Sequence, residues 1–123
     1  MPDLIFVYRG TVGSILSHYI QHRYNVTVLE YEPEPADVLH DPPSSHPVLA
    51  LVAAAEFPAI LFEALKQQVC SVPIVWLCQD INNRDLPDTS VLKYSCDGTN
   101  EWTVFRDVLR NYLRPYRRKS ANQ

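Results

Sequence analysis

No stretch of this chain is long and apolar enough to cross a bilayer. The longest apolar run, Val48–Ala55, falls far short of the ~20 residues a membrane helix needs. Met1-Pro2-Asp3 supplies no basic segment ahead of the first apolar stretch. No secretory signal is therefore expected, and a cytoplasmic address is the default. Cysteine is sparse and odd in number: Cys70, Cys78 and Cys96. Three thiols without metal-ligand spacing argue against both a disulfide scaffold and a zinc site. The glycines match neither the P-loop nor the G-x-G-x-x-G pattern. What remains is one globular domain of 123 residues, large enough to build a core without staples.

Charge is unevenly distributed. Residues 1–105 carry 13 acids and 5 bases, whereas residues 106–123 carry six bases against Asp107 alone. The plain reading is a solvated helix end, where cations suit the dipole. The sharper one is a basic end that meets an acidic surface. No base-reading motif accompanies it, so direct nucleic-acid binding by this chain is not expected.

Five strand-like runs follow one another: Leu4–Tyr8, Val26–Tyr31, Val48–Ala53, Pro73–Cys78 and a weaker Ser90–Ser95. The first, third and fourth are continuous and apolar, as strands buried on both faces are. Between the first two, Ser14 is a candidate helix cap, and Ile15, Leu16, Tyr19 and Ile20 form one helical face. Prolines crowd residues 30–47, so a short, distorted helix near Ala36–His40 or a loop is expected there. Phe57, Ile60, Leu61, Ala64, Leu65 and Val69 mark the clearest amphipathic helix, with Pro58 near its first turn. Asp80–Thr89 (DINNRDLPDT) has no apolar periodicity, so the helix between strands four and five should be reduced or missing. Thr99 or Asn100 opens a last helix along Trp102, Phe105, Leu109, Tyr112 and Tyr116, with Pro115 interrupting its end. Strands alternating with helices argue a parallel sheet covered on both faces. The expected fold is a flavodoxin-like α/β three-layer sandwich with strand order 2-1-3-4-5. Residues 1–114 would form the domain and 115–123 a basic linker or tail.

In the order of these elements the chain resembles the receiver domains of bacterial response regulators from Leu4 to Leu113. The element order carries the resemblance, together with stretches such as VLALVAAAEFPAILFEALKQQVCSVPIVWL. The family's chemical residues are absent. Tyr8 and Arg9 stand where an acidic pair would hold magnesium. Ala53, Ala54 and Ala55 stand where the phospho-accepting aspartate would be. Cys78 is nearest to the Ser or Thr of strand four, and Tyr94-Ser95 replace the lysine of strand five, with Lys93 slightly early. Magnesium requires hard oxygen ligands, and alanine accepts no phosphoryl group. The resemblance therefore implies a non-phosphorylatable pseudo-receiver, similar in kind to those of cyanobacterial clock proteins and atypical transcription regulators. It implies action through protein contacts, as an N-terminal regulatory domain, with a homodimer formed by the last strand and last helix. Trp102, Arg110, Tyr112 and Tyr116 are the interface candidates, since aromatic residues and arginine are favoured at interfaces.

The contrasting class is a small-ligand domain. Arg9, Gly10, Thr11, Gly13 and Ser14 link a strand to a helix, where backbone amides can cradle an anion. A flavin, a nucleotide or an anion would suit that loop. The plainer reading is a tight turn that needs glycine conformations. Cys78 and Cys96 end neighbouring strands and form a conceivable redox pair. His18 and His22 share a helix face, but no acid or cysteine completes a metal set. Glu56, Asp80 and Asp97 are the carboxylates near strand ends, too few for expected acid–base catalysis. Neither an enzymatic activity nor a cofactor is expected.

Overall fold

The computed structural model describes residues 1–10 and 12–119. Five parallel strands form one sheet: β1 (Asp3–Tyr8), β2 (Thr27–Tyr31), β3 (Pro47–Ala54), β4 (Ile74–Cys78) and β5 (Leu92–Ser95), in the order β2-β1-β3-β4-β5. The expected flavodoxin-like α/β fold is the one found. Helices α1 (Val12–Arg23) and α4 (Glu101–Leu113) cover one face; α2 (Pro35–His40) and α3 (Ala59–Gln68) cover the other. Side-chain alternation feeds two cores. Leu4, Phe6, Leu49, Leu51, Val75 and Leu77 meet α1 and α4, while Ile5, Val7, Ala50, Val52, Ile74 and Trp76 meet α2 and α3.

Helix α1 starts two residues before the expected cap, so Ser14 lies inside it and is exposed. Its buried face also differs from expectation. Gly13, Ser17 and Ile20 face inward, followed by Tyr24, whereas Ile15 is 69% exposed and Val12 61%. The cause is volume. Phe6 and Tyr8 fill the space above β1 with two rings 4.8 Å apart, so the helix presents its smallest residues to them. Gly13 is the tightest point, because a Cβ there would lie 1.7 Å from the Tyr8 ring. The more apolar stripe of α1 is left turned toward α4 and solvent.

Helix α3 shows a milder version of the same effect. Ile60 is exposed, and Phe62 and Gln68 are buried instead. The buried arc widens toward α2, whose last turn is held by Gln68 Nε2 donating to the carbonyls of Val38 (2.6 Å) and Asp41 (2.8 Å).

No helix joins β4 to β5 among the described residues, as the missing periodicity predicts. The connection is instead tied down by polar bonds. Lys93 is the register partner of Trp76, and its ammonium lies 4.8 Å from the Trp76 ring centroid. From there Lys93 Nζ donates to the carbonyls of Asn83 (2.6 Å) and Asp85 (2.9 Å). One side chain thus covers the indole and satisfies the loop backbone, where a helix would otherwise do both.

Before α4, the Asp97 carboxylate accepts bonds from Thr99 N, Thr99 Oγ1 and Asn100 N. These bonds hold its pKa below the usual carboxylate value. Beyond α4, Arg114–Tyr116 form a single 3-10 turn. The chain then pairs with the end of α1: Asn25 N donates to Tyr116 O (2.6 Å) and Arg118 N to Arg23 O (2.8 Å). Of the basic segment 115–123, residues 120–123 lie outside the described residues. Among the described residues, no helix is long and apolar enough to cross a membrane.

Candidate functional site

In a sheet of this order, ligands bind outside the carboxyl ends of the strands, where the strand order reverses between β1 and β3. A shallow crevice lies there, lined by Arg9, Pro33, Ala54, Ala55, Glu56, Pro58 and Gln79. Its cation is already engaged: Arg9 Nη2 donates to Glu34 Oε1 at 2.5 Å. Tyr8, the last residue of β1, lies against Gly13 of α1 and donates its hydroxyl to Glu30 Oε1 at 3.1 Å. Ala53 pairs with Tyr8 across β1–β3, and Ala54 with Cys78 across β3–β4. The crevice therefore offers one carboxylate on β3's exit, Glu56, and no paired acids. Among the described residues, no group of three or more His, Cys, Asp or Glu is arranged to hold a metal ion. His18 and His22 are both exposed.

Gly10 in the β1–α1 loop and Gly13 in the first turn of α1 each have a structural account. Gly10 adopts φ +101°, a conformation that L side chains rarely take. Gly13 is required by its contact with Tyr8. Arg9 and Ser14 are exposed, and Thr11 lies outside the described residues.

The two strand-end thiols are not brought together. Cys78 belongs to the core under α2 and α3, and Cys96 to the core under α1 and α4. Their backbones meet, where Cys96 N donates to Cys78 O at 2.8 Å. Both are buried, and Cys70 alone is exposed. Burial, with the nearby Glu101 charge, pushes the Cys96 thiol up to about 11. A thiol so held in the protonated form is a weak nucleophile at neutral pH.

The four interface candidates fall on different sides of α4. Trp102 is 47% exposed and packs edge-on against Tyr19 of α1, with ring centroids 4.8 Å apart. Arg110 lies on that same flank, sharing a cleft with Tyr19 and Arg23. Tyr112 leans the other way, its hydroxyl 3.1 Å from that of Tyr94 on β5. Tyr116 is half-buried beyond the helix end. The continuous surface is therefore the α1–α4 flank. There Val12, Leu16, Trp102 and Phe105 line an apolar cleft of about 220 Å³ whose floor is Ala53, Leu77 and Cys96. Sequence reading placed Val12 in the loop and turned the stripe of α1 inward, so it missed this surface. The signal available was the small pair Gly13 and Ser17, four apart on one helix face.

Besides Tyr24, raised by burial, three acidic groups titrate late in the folded state by a larger margin. Tyr31 is raised to about 12 by burial and its bond to Asp41. Tyr112 is raised to about 12 by burial and its bond to Tyr94. Cys96 is the third. The unfolded chain loses these protons first, from the ordinary values of 9.0 for the thiol and 10.0 for the phenols. Their contribution to stability is complete below pH 9 and is lost as pH rises through 11 to 12. Urea midpoints should thus fall across that window. In Cys96→Ala the fall should begin about one unit later, and an unchanged onset would show that the thiol plays no part.

No protein-family model matches this chain, and no curated protein matches it either.

Proposed function

We propose that this chain is a receiver-like regulatory module without phosphoryl chemistry, working by protein contact within a transcription or signalling regulator. The observation that carries the proposal is the strand-end crevice. Arg9, tied to Glu34, stands where a metal-binding acid would be, and Ala54 and Ala55 close β3 without an acceptor oxygen on a side chain. Magnesium would meet a guanidinium there instead of carboxylates. Contact is favoured by what α1 and α4 leave uncovered. Val12, Ile15 and Trp102 are large, apolar and exposed on neighbouring helices, and such patches mark interaction surfaces. Self-association through α4, centred on Trp102, is the contact we assign to it.

Two measurements test this. Amide spectra recorded with magnesium and beryllofluoride should show no shift at Tyr8, Arg9, Ala54 or Ala55. Saturable shifts there would overturn the non-phosphorylatable reading. Sedimentation velocity over a concentration series should show a dimer for the wild type and a weaker one for Trp102→Ala. A wild type that stays monomeric throughout removes self-association.

A further inference from the structure

The cleft between the last turn of α1 and the second half of α4 is lined by Arg23, Arg106, Arg110, Arg114 and Arg117, with Tyr19 and Tyr24. Five arginines thus line one cavity of about 180 Å³ in a chain whose net charge is −3. Counter-charge is scarce. The ion pairs of the described residues are Arg9–Glu34, far from the cleft, and Arg110–Asp107 at 3.9 Å. The C-terminal dipoles of α1 and α4 favour a cation or two here, but not five. Arg106, Arg110 and Arg114 recur every four residues, and like charges at that spacing weaken a helix. Folding alone does not favour the arrangement; a bound anion would relieve it.

The cleft is also held in shape. Arg117 bridges to Tyr24, and Arg118 donates to the Arg23 carbonyl from its backbone (2.8 Å) and to the Gln21 carbonyl from Nε (2.9 Å). The Arg23 guanidinium rests 5.2 Å from the Tyr19 ring centroid. Tyr24, 8% exposed, provides a phenol at the base.

From this geometry we infer that the α1–α4 arginine cleft binds a compact polyanion bearing a diphosphate group. Arginine forks match phosphate oxygens and bond them bidentately. The cavity lies below the roughly 300–1,000 Å³ of drug-sized ligand pockets, so it suits linked tetrahedral anions and not a whole ligand. Arg106 to Arg114 covers two turns, about 12 Å of helix rise, more than one phosphate would engage. Nucleic acid is disfavoured on two counts. Tyr19 is occupied by Arg23 and Trp102 and cannot act as a stacking platform. The acidic remainder of the chain would also repel an extended polyanion.

The test is calorimetric titration of the full chain with inorganic diphosphate, orthophosphate, a nucleoside diphosphate and oligothymidylate at physiological salt. Diphosphate should bind more tightly than orthophosphate. Arg110→Gln and Arg114→Gln should each weaken it about tenfold, the loss of one charge-assisted hydrogen bond. Arg84→Gln should not. All three positions are exposed, so folding is not at issue. A nucleoside diphosphate tighter than inorganic diphosphate supports a nucleotide carrier, and equal affinities support the free anion. Absence of diphosphate binding, or binding indifferent to Arg110 and Arg114, overturns the assignment. So does oligothymidylate binding tighter than diphosphate through the same arginines.

Discussion

Trp76→Ala should destabilise the protein by about 3–5 kcal/mol, the usual cost of truncating a fully buried tryptophan. Trp76 is 0% exposed and carries three separate contacts. Its Nε1 donates to the Ala54 carbonyl at 2.9 Å. Its ring meets Phe57 edge-on, with centroids 5.7 Å apart. Lys93 lies over the ring and reaches the carbonyls of the β4–β5 connection. Alanine leaves a cavity under that connection, where no helix stands to collapse into it. The Ala54 carbonyl is not orphaned, because Gln79 N also donates to it at 3.0 Å. Trp76→Phe should therefore cost much less, about 1–2 kcal/mol for one hydrogen bond and a smaller ring. Domain stabilities run to roughly 5–15 kcal/mol, so the alanine variant forfeits a large share. Urea unfolding followed by circular dichroism measures both. A Trp76→Ala loss under about 1 kcal/mol would mean that the indole and its lysine cover are not what seals this side of the sheet.

Gly13→Ala should destabilise by about 1–3 kcal/mol, the range for overpacking, although glycine to alanine within a helix ordinarily gains up to ~1 kcal/mol. The reversal of sign is the diagnostic. The new Cβ would lie 1.7 to 2.3 Å from Cδ2, Cε2 and Cγ of Tyr8. These atoms are close to the root of the ring and cannot swing aside as a chain terminus does. Phe6 stands 4.8 Å away on the same strand face and limits where the ring can go. A double-mutant cycle with Tyr8→Ala isolates the clash. Gly13→Ala should cost little or even stabilise in the Tyr8→Ala background. If Gly13→Ala is neutral in the wild type, close packing is not the reason for the glycine, and an anion cradle at this loop regains its case.

The sheet was legible because its three central strands, β1, β3 and β4, are buried on both faces. Leu4–Tyr8, Val48–Ala53 and Ile74–Leu77 are unbroken apolar runs, and few topologies accommodate such runs alternating with helices. The absence of a helix at Asp80–Thr89 was legible for the same reason, since no apolar stripe exists there to bury. The buried face of α1 was not legible. Ile15 is more hydrophobic than Ser17, yet Ser17 is buried and Ile15 is exposed. Hydrophobic periodicity ranks residues by transfer free energy, whereas a helix seated over Phe6 and Tyr8 is selected by the volume left above those rings. The arginine cleft was only half legible. Its four members from Arg106 to Arg117 stand out as a charge run, but Arg23 comes from the far side of the chain.

The sequence by itself determined the α/β architecture and the Tyr8-Arg9 and Ala54-Ala55 exits of β1 and β3, because these rest on residue identity and local period; the strand order followed from the few topologies that right-handed crossovers allow. Tertiary structure alone decided which way α1 turns, that Cys78 and Cys96 lie on opposite faces of the sheet, and that Arg23 joins the arginines of α4. These depend on how volumes and faces meet between segments distant in the chain, and local pattern carries no record of that.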